Sequence, residues 1–258
     1  MPVLRMSSHI EYYRYLAGQS KIHRLAGRGD DRATTQFANA RLLEVLELEQ
    51  QDVLLDVGCG DGSLLKQADG LVHARIGITP TDEEMQLLEM TVPRVTFLRG
   101  EVNEIPLEPA SASKIVCNSV LLLLESEAGV RKALGEISRV ARRGSIICLG
   151  EIPAADELAY FHKYRGNSVI GFVTHELKKK GVRAFLSSVR EAGDALLGEH
   201  TLVLNSANVY HAAPDRFIEM AAEQELHMVR IFKHVRLDAS GVVVESPLRY
   251  NYLFRKAS

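Results

Sequence analysis

The sequence Val53-Leu-Leu-Asp-Val-Gly-Cys-Gly-Asp-Gly62 places an apolar run that ends in an acid directly before three glycines at alternate positions. The run is too short for a helix and is rich in β-branched and leucyl residues, which predicts a buried strand over Val53 to Val57. The glycines favour a tight turn in which a ligand can lie against backbone without Cβ atoms. Ser63 then begins a predicted helix whose free N–H groups face the same place. Together these features predict a nucleotide-type pocket at a sheet edge.

The composition is that of an ordinary soluble protein. The chain has 258 residues, of which 46% are apolar and 25% charged, so it can bury a core without disulfides. Its net charge of -2 gives no general reason to expect nucleic acid or an anionic membrane as a partner. Three widely spaced cysteines favour a reducing compartment and are interpreted as small apolar fillers. With no signal peptide or membrane span predicted, the expected location is cytoplasmic.

Strands and helices alternate after the glycine turn. Four more strands are predicted: Val72 to Ile78, Val95 to Leu98, Lys114 to Leu121 and Ser145 to Leu149. The predicted helices are Thr35 to Leu48, one capped by Thr81 and Glu84, Val130 to Ala141, and one that begins at Pro214. Alternation of this kind implies a mostly parallel sheet covered on both faces. Met228 to His234 and Tyr250 to Phe254 have no helix between them and predict an antiparallel hairpin at the sheet edge.

The pattern D-x-G-x-G-x-G resembles motif I of the class I S-adenosylmethionine (SAM) methyltransferases. A dinucleotide fingerprint would place its third glycine at Ser63 instead. The strand and helix series through residue 152 is similar to the same family. The resemblance implies an α/β, Rossmann-like sheet of seven mostly parallel strands with a C-terminal antiparallel hairpin, and SAM as cofactor with S-adenosylhomocysteine as product.

The resemblance also implies an organisation for the whole chain. We expect one methyltransferase domain over residues 1–258, in four parts. Residues 1–50 form an N-terminal helical cap without strands, and residues 51–152 form the SAM-binding core. Residues 153–212 are a helical insertion or lid, helical throughout 153 to 198, and residues 213–258 supply the last helix and the hairpin.

By the same resemblance, one set of residues holds the methionine end of SAM and another the ribose. Asp56 suits the ammonium group, and the backbone of Gly58, Cys59 and Gly60 allows close approach, although Asp56 could instead only order the turn. Thr79 and Pro80 occupy the ribose position. Family members usually carry an acid there, so Thr79 is a departure that we expect to cost about tenfold in affinity.

The residues expected to contact the adenine and the methyl-bearing end of SAM follow on the next strands. Glu101 stands where an acid accepts from the adenine amino group, and the backbone of Val102 meets the ring. Asn118 ends the strand that faces the methionine moiety and the substrate. An exposed loop acid is the alternative for Glu101. Asp82 is interpreted as a helix-start residue and Lys114 as a structural one.

No motif names the catalytic base. A hydroxyl acceptor needs one, and the two candidates are His162 and Glu151, each with a surface or packing role as the alternative. Four aromatic residues are candidates for a substrate-facing lid, with core packing as the alternative: Tyr12, Tyr13, Tyr160 and Tyr164. No His/Cys cluster has metal-ligand spacing, so metal-independent chemistry is expected.

These observations lead to one main hypothesis and two alternatives. The main one is a SAM-dependent methyltransferase acting on a small-molecule or glycosyl-type acceptor, by O-methylation, with nitrogen as the alternative acceptor atom. No nucleic-acid or membrane partner is expected, and a homodimer is left open. The first alternative is a catalytically silent relative that binds SAM weakly or binds a partner protein, suggested by Thr79. The second is a nicotinamide-dependent oxidoreductase, disfavoured by Ser63.

Overall fold

The computed structural model describes residues 3–6, 14, 32–124, 126–155, 202–205, 210–238 and 240–258. The chain divides into two compact units, Met1–Tyr12 with Asp156–Ala207 and Tyr13–Ala155 with Asn208–Ser258. In the first unit, strand β1 (Val3–Met6) pairs in parallel with a strand at Leu202–Asn205, which is β7 in chain order. The expectation that the first fifty residues contain no strand is therefore wrong. β1 is only four residues long and includes the charged Arg5, so it shows no clear strand periodicity.

The second unit contains a seven-stranded sheet, and this confirms the predicted fold class. Its strands are β2 (Val53–Val57), β3 (Ala74–Thr79), β4 (Thr96–Arg99), β5 (Ala112–Asn118), β6 (Ala141–Pro153), β8 (Leu226–Leu237) and β9 (Val243–Lys256). They lie in the order β4-β3-β2-β5-β6-β9-β8. The first five of these are parallel, and β9 pairs antiparallel with both β6 and β8.

Helices cover both faces of this sheet. They are α1 (Arg32–Leu46), α2 (Ser63–Gln67), α3 (Asp82–Thr91), α4 (Glu127–Val140) and α5 (Pro214–Ala222). Leucines of the first three pack with Leu54 and Cys148 in one core, whereas α4 and α5 pack with Leu55 and Tyr252 in the other. The side chain of Thr81 caps α3 as predicted, by accepting from the Glu84 N–H at 3.2 Å.

Parallel strands bring the functional positions to one sheet edge. The carboxyl ends of β2, β3, β5 and β6 meet there, and β6 carries a bulge in which Gly150 and Glu151 oppose the single residue Asn251 of β9. The prediction of helix from residue 153 is wrong at its start. Pro153 still belongs to β6 and Ala154 forms a bridge with Ala212, while residues 156 to 198 lie outside the described part of the chain.

Lys114 has a structural position at the opposite edge of the sheet. Its Nζ donates to the carbonyl oxygens of Leu46 and Glu47 at 2.7 and 2.9 Å, at the C-terminal end of α1. A cation there satisfies carbonyls that the helix leaves unpaired. The same Nζ lies 3.8 Å from the buried carboxylate of Asp52. The interpretation of Lys114 as structural agrees with these contacts.

Replacing Lys114 with Met should lower the free energy of unfolding by about 1–3 kcal/mol, because two carbonyls and a buried carboxylate lose a charged partner. Methionine keeps the apolar stem, so the change reports mainly the ammonium group. Urea denaturation measures the effect. Lys132→Met, on an exposed position of α4, is the matched control. Equal losses in the two variants would contradict this role.

Candidate functional site

The glycine turn after β2 has the conformation that the sequence predicted. Gly58, Gly60 and Gly62 have φ values of 76°, 54° and 70°, in the left-handed region that favours glycine. The N–H groups of Gly58 and Cys59 both donate to the Ile78 carbonyl at the end of β3, at 2.9 and 3.0 Å. The turn is therefore fixed against the neighbouring strand, directly before α2.

Gly58 is also a point of close contact that the motif did not reveal. A Cβ atom built on Gly58 would lie 2.4 Å from Cγ2 of Val120, which follows β5. No larger residue fits without a shift of Val120. Sequence reasoning missed Val120, because an isolated valine after a strand carries no functional signal.

Asp56 lies beneath this turn at the centre of the sheet. It is opposite Gly77 of β3 and Val116 of β5, and only 4% of it is exposed. Burial, and then the Asp56 charge, raise the pKa of the Cys59 thiol well above its ordinary value. A buried carboxylate beside a glycine turn is suited to hold a cationic group.

All three cysteines are buried fillers. Desolvation raises the pKa of Cys148 to about 12 and raises that of Cys117 further above its ordinary range. Thiolates are therefore scarce at neutral pH, and none of these thiols is prepared for nucleophilic or redox chemistry.

At the position expected to contact the ribose, Thr79 has an acidic neighbour that the sequence did not predict. Thr79 is buried at the end of β3, and its hydroxyl donates to the Glu84 carboxylate. Glu84 is also buried; desolvation raises its pKa, and its hydrogen bonds to Thr79 and Thr81 oppose that shift. The Thr79 oxygen keeps lone pairs for a ligand hydroxyl. Pro80 follows, half-buried.

The remaining expected cofactor residues lie in the neighbouring loops, where the exposure of Glu101 also fits its alternative as an exposed loop acid. Val102 is buried and Glu101 is exposed after β4. Gly100 lets Pro106 approach: a Cβ atom there would lie 2.5 Å from Pro106 Cδ. Asp82 points to Arg99, which donates to it at 2.9 Å on the surface, and this contact fits the helix-start interpretation.

A polar cluster occupies the ends of β5 and β6. Glu151 is 5% exposed, and Asn118 Nδ2 donates to its Oε1 at 3.1 Å. Arg249 Nη1 of β9 donates to Oε2 at 2.6 Å, and the Glu151 N–H donates to Asn251 Oδ1 at 2.9 Å. Nε2 of His234, in β8, lies 3.9 Å from Glu151 Oε1. These five residues are called the Glu151 cluster below.

Two backbone positions in this cluster region are strained. Glu151 has a φ of 59°, and Ser119, next to Asn118, has a φ of 61°. Ser119 N–H donates to the Gly150 carbonyl at 3.0 Å, so the two lie side by side. Strained residues that the surrounding structure holds in place are typical of functional sites. Asn118 Oδ1 is buried and has no hydrogen-bond partner among the residues that the structure describes.

The structure thus brings together all the predicted cofactor positions and Glu151, at one sheet edge. His162, Tyr12, Tyr13, Tyr160 and Tyr164 lie outside the described residues. In the part of the chain that the structure describes, no group of three or more His, Cys, Asp or Glu could hold a metal ion. Within the same residues, no helix is long and apolar enough to span a membrane.

Comparison with known proteins decides the class of this site. Residues 55–149 match the family model described as "Methyltransferase domain". Residues 55–149 therefore resemble a methyltransferase domain. The predicted resemblance is confirmed, and the cofactor of such a domain is SAM, as expected. No curated protein matches the chain by sequence.

Solved structures of methyltransferases share the fold of this domain. The N-methyltransferase NodS from Bradyrhizobium japonicum, in complex with S-adenosylhomocysteine, is 13% identical, with a TM-score of 0.59 and coverage of 95% of this chain and 99% of that one. A SAM-dependent methyltransferase from Methanosarcina mazei is 14% identical, with a TM-score of 0.57 and coverage of 84% and 97%. A chain from a complex of the Haloferax volcanii Trm112 methyltransferase activator is 13% identical, with a TM-score of 0.62 and coverage of 98% and 100%. At these identities the likeness shows the fold alone.

Proposed function

We propose that this chain transfers the methyl group of SAM to a small-molecule or glycosyl-type acceptor, at oxygen, and that Glu151 is the proton acceptor. The observation that carries the proposal is the buried carboxylate of Glu151, bonded to Asn118 at the sheet edge that also carries the glycine turn. A buried acid at such a position is otherwise costly, because its desolvation has to be offset. The NodS structure, which shares the fold and is in complex with S-adenosylhomocysteine, supports SAM as the cofactor.

The residues at this edge fit the cofactor. Asp56 suits the ammonium of the methionine end, and the left-handed glycine turn leaves no Cβ atoms along the approach. Thr79 offers its oxygen to a ribose hydroxyl, while Glu101 and Val102 lie after β4 for the adenine. Asn118 Oδ1 is a buried acceptor that a ligand donor would satisfy. When bound, SAM supplies a methyl group activated on a sulfonium.

The Glu151 cluster would then handle the proton of the acceptor. Arg249 lies 2.6 Å from Glu151 and stabilises the ionised carboxylate. A hydroxyl oxygen becomes strongly acidic as its bond to the methyl carbon forms, so a weak base in contact with it is sufficient. Burial of Glu151 and Asn251 limits the access of water that would compete for the reaction.

A second candidate function rests on Thr79. Its hydroxyl is engaged by Glu84, and it lacks the charge of the usual acid. A catalytically silent protein that binds SAM weakly, or that binds a partner protein as the Haloferax volcanii neighbour does, would fit this departure. The cytoplasmic location and the homodimer stay predictions.

Calorimetric titration with SAM and S-adenosylhomocysteine tests the binding. We expect saturable heat with a Kd between roughly 1 μM and 1 mM, the usual range of enzyme affinities. No heat at millimolar SAM would contradict the proposal, and heat with a nicotinamide cofactor instead would favour an oxidoreductase. Incubation with methyl-labelled SAM and a metabolite extract tests the transfer. Label in small molecules supports the enzyme, while retained binding without transfer supports the silent alternative.

A further inference from the structure

The bulge in β6 is completed by a side chain of the neighbouring strand. Gly150 and Glu151 oppose the single residue Asn251 of β9. The extra residue of a bulge falls out of the ladder, so its backbone groups need other partners. The Gly150 carbonyl accepts from the Ser119 N–H at 3.0 Å, and the Glu151 N–H donates to Asn251 Oδ1 at 2.9 Å. A side-chain oxygen of β9 therefore takes the place of a ladder bond at Glu151.

Asn251 is closely packed where it makes this bond. Only 3% of it is exposed. A Cβ atom built on Gly150 would lie 2.1 Å from Asn118 Oδ1 and 3.2 Å from Asn251 Oδ1. The amide side chains of the two asparagines, one from β5 and one from β9, thus lie over the same face of Gly150. Glycine at position 150 is what lets both of them reach the bulge.

The bulge gives Glu151 a backbone conformation that it does not adopt by itself. Its φ of 59° is in the left-handed region, where a residue with a Cβ atom is disfavoured and must be held by its surroundings. In this conformation the carboxylate accepts from Asn118 Nδ2 at 3.1 Å and from Arg249 Nη1 at 2.6 Å. A change in φ moves the whole side chain, so the contacts of the carboxylate depend on the backbone bond to Asn251.

We propose that Asn251 is a positioning residue for Glu151: its bond to the Glu151 N–H holds the left-handed backbone that directs the carboxylate toward the acceptor. The inference rests on the proposed function, in which Glu151 takes the proton of the acceptor. It adds a residue from the C-terminal hairpin that acts on the reaction through Glu151. A base must lie within hydrogen-bond reach of its proton, and a displacement of about 1 Å can cost roughly 100-fold in rate.

Crystal structures of the wild type and of Asn251→Ala test the positioning directly. Alanine removes the oxygen that accepts from the Glu151 N–H. We expect φ of Glu151 to leave the left-handed region and its carboxylate to move by about 1 Å or more, because this conformation is disfavoured once the bond is lost. If Asn251→Ala does not fold, Asn251→Ser replaces it, since the serine hydroxyl is too short to make the same bond. An unchanged φ with the carboxylate still beside Asn118 overturns the inference.

The rate of methyl transfer gives the second measurement. Methyl-labelled SAM and a metabolite extract are the probes, and initial rates are taken at saturating SAM. Asn251→Ala should lower the rate by about 10–100-fold while SAM affinity, from calorimetry, stays within about threefold. Ser145→Ala is the matched control. Ser145 is buried at the other end of β6, and its hydroxyl donates to the Ala112 carbonyl at 3.0 Å. This control loses a similar buried hydrogen bond and should keep a rate within about twofold of the wild type.

A double-mutant cycle separates positioning from a general loss of stability. In the Glu151→Gln background, Asn251→Ala should lower the remaining rate by less than about threefold, because no base is left to position. The same 10–100-fold loss in both backgrounds overturns the inference. An unchanged rate in Glu151→Gln alone contradicts the proposed base instead. The crystal structures still decide in that case whether Asn251 holds Glu151, so the two proposals fail separately.

Discussion

Replacing Asp56 with Asn should weaken SAM binding by about 10–100-fold, because a charged hydrogen bond of about 1.5–3 kcal/mol is lost. Asparagine has the same shape and leaves the strand and the turn in place. Asp56 is buried at the centre of the sheet, and its charge reaches the glycine turn strongly enough to raise the pKa of Cys59. Calorimetric titration with SAM measures the change, and circular dichroism checks the fold.

Asp82→Asn is the matched control for this substitution. Asp82 lies near the same edge of the sheet, but it is exposed and pairs with Arg99. An exposed ion pair contributes about 0.2–1 kcal/mol at most, so its loss should change SAM affinity by less than about fivefold. If Asp82→Asn weakened binding more than Asp56→Asn, the ammonium assignment would be wrong and Asp82 would be the ligand.

The sheet was largely predictable from periodicity, and the strand bounds that were predicted wrongly have physical causes. β2 has the predicted bounds, because five mostly apolar residues between two turns fit a buried strand and are too few for a helix. β6 begins at Ala141, directly after α4, where Arg142 and Arg143 are exposed and resemble a loop. β8 is longer than predicted for a related reason. It is an edge strand, and charged residues such as Arg236 carry no hydrophobic signal.

The site was predictable only where its residues are close together in sequence. The motif located Asp56 and the glycines, since four functional positions fall within five residues. Arg249 and His234 are contributed by the C-terminal hairpin, and Arg249 is 98 positions from Glu151. No local spacing links residues so far apart. The bulge that turns Glu151 toward them depends on pairing with β9, which a single strand pattern does not show.

Replacing Glu151 with Gln should lower kcat for methyl transfer to a hydroxyl acceptor by about 100- to 10,000-fold, the contribution typical of a positioned base. Glutamine preserves the shape of the site. Its oxygen can still accept from Arg249, and its amide can donate to Asn118 Oδ1 once the Asn118 amide turns, because that oxygen has no partner within the described residues. The turned Asn118 no longer offers Oδ1 to the cofactor, so SAM affinity should fall by at most about tenfold, the contribution of one neutral hydrogen bond.

This separation of kcat from SAM affinity is what distinguishes a base from a structural residue. A structural role for Glu151 would lower the thermal midpoint and weaken SAM binding together with the rate. Glu225→Gln is the control, because Glu225 is exposed and pairs with Lys256 away from the edge that carries the glycine turn. A rate within about tenfold of the wild type in Glu151→Gln would contradict the base assignment. Such a result would point instead to a nitrogen acceptor, whose free lone pair attacks without a base.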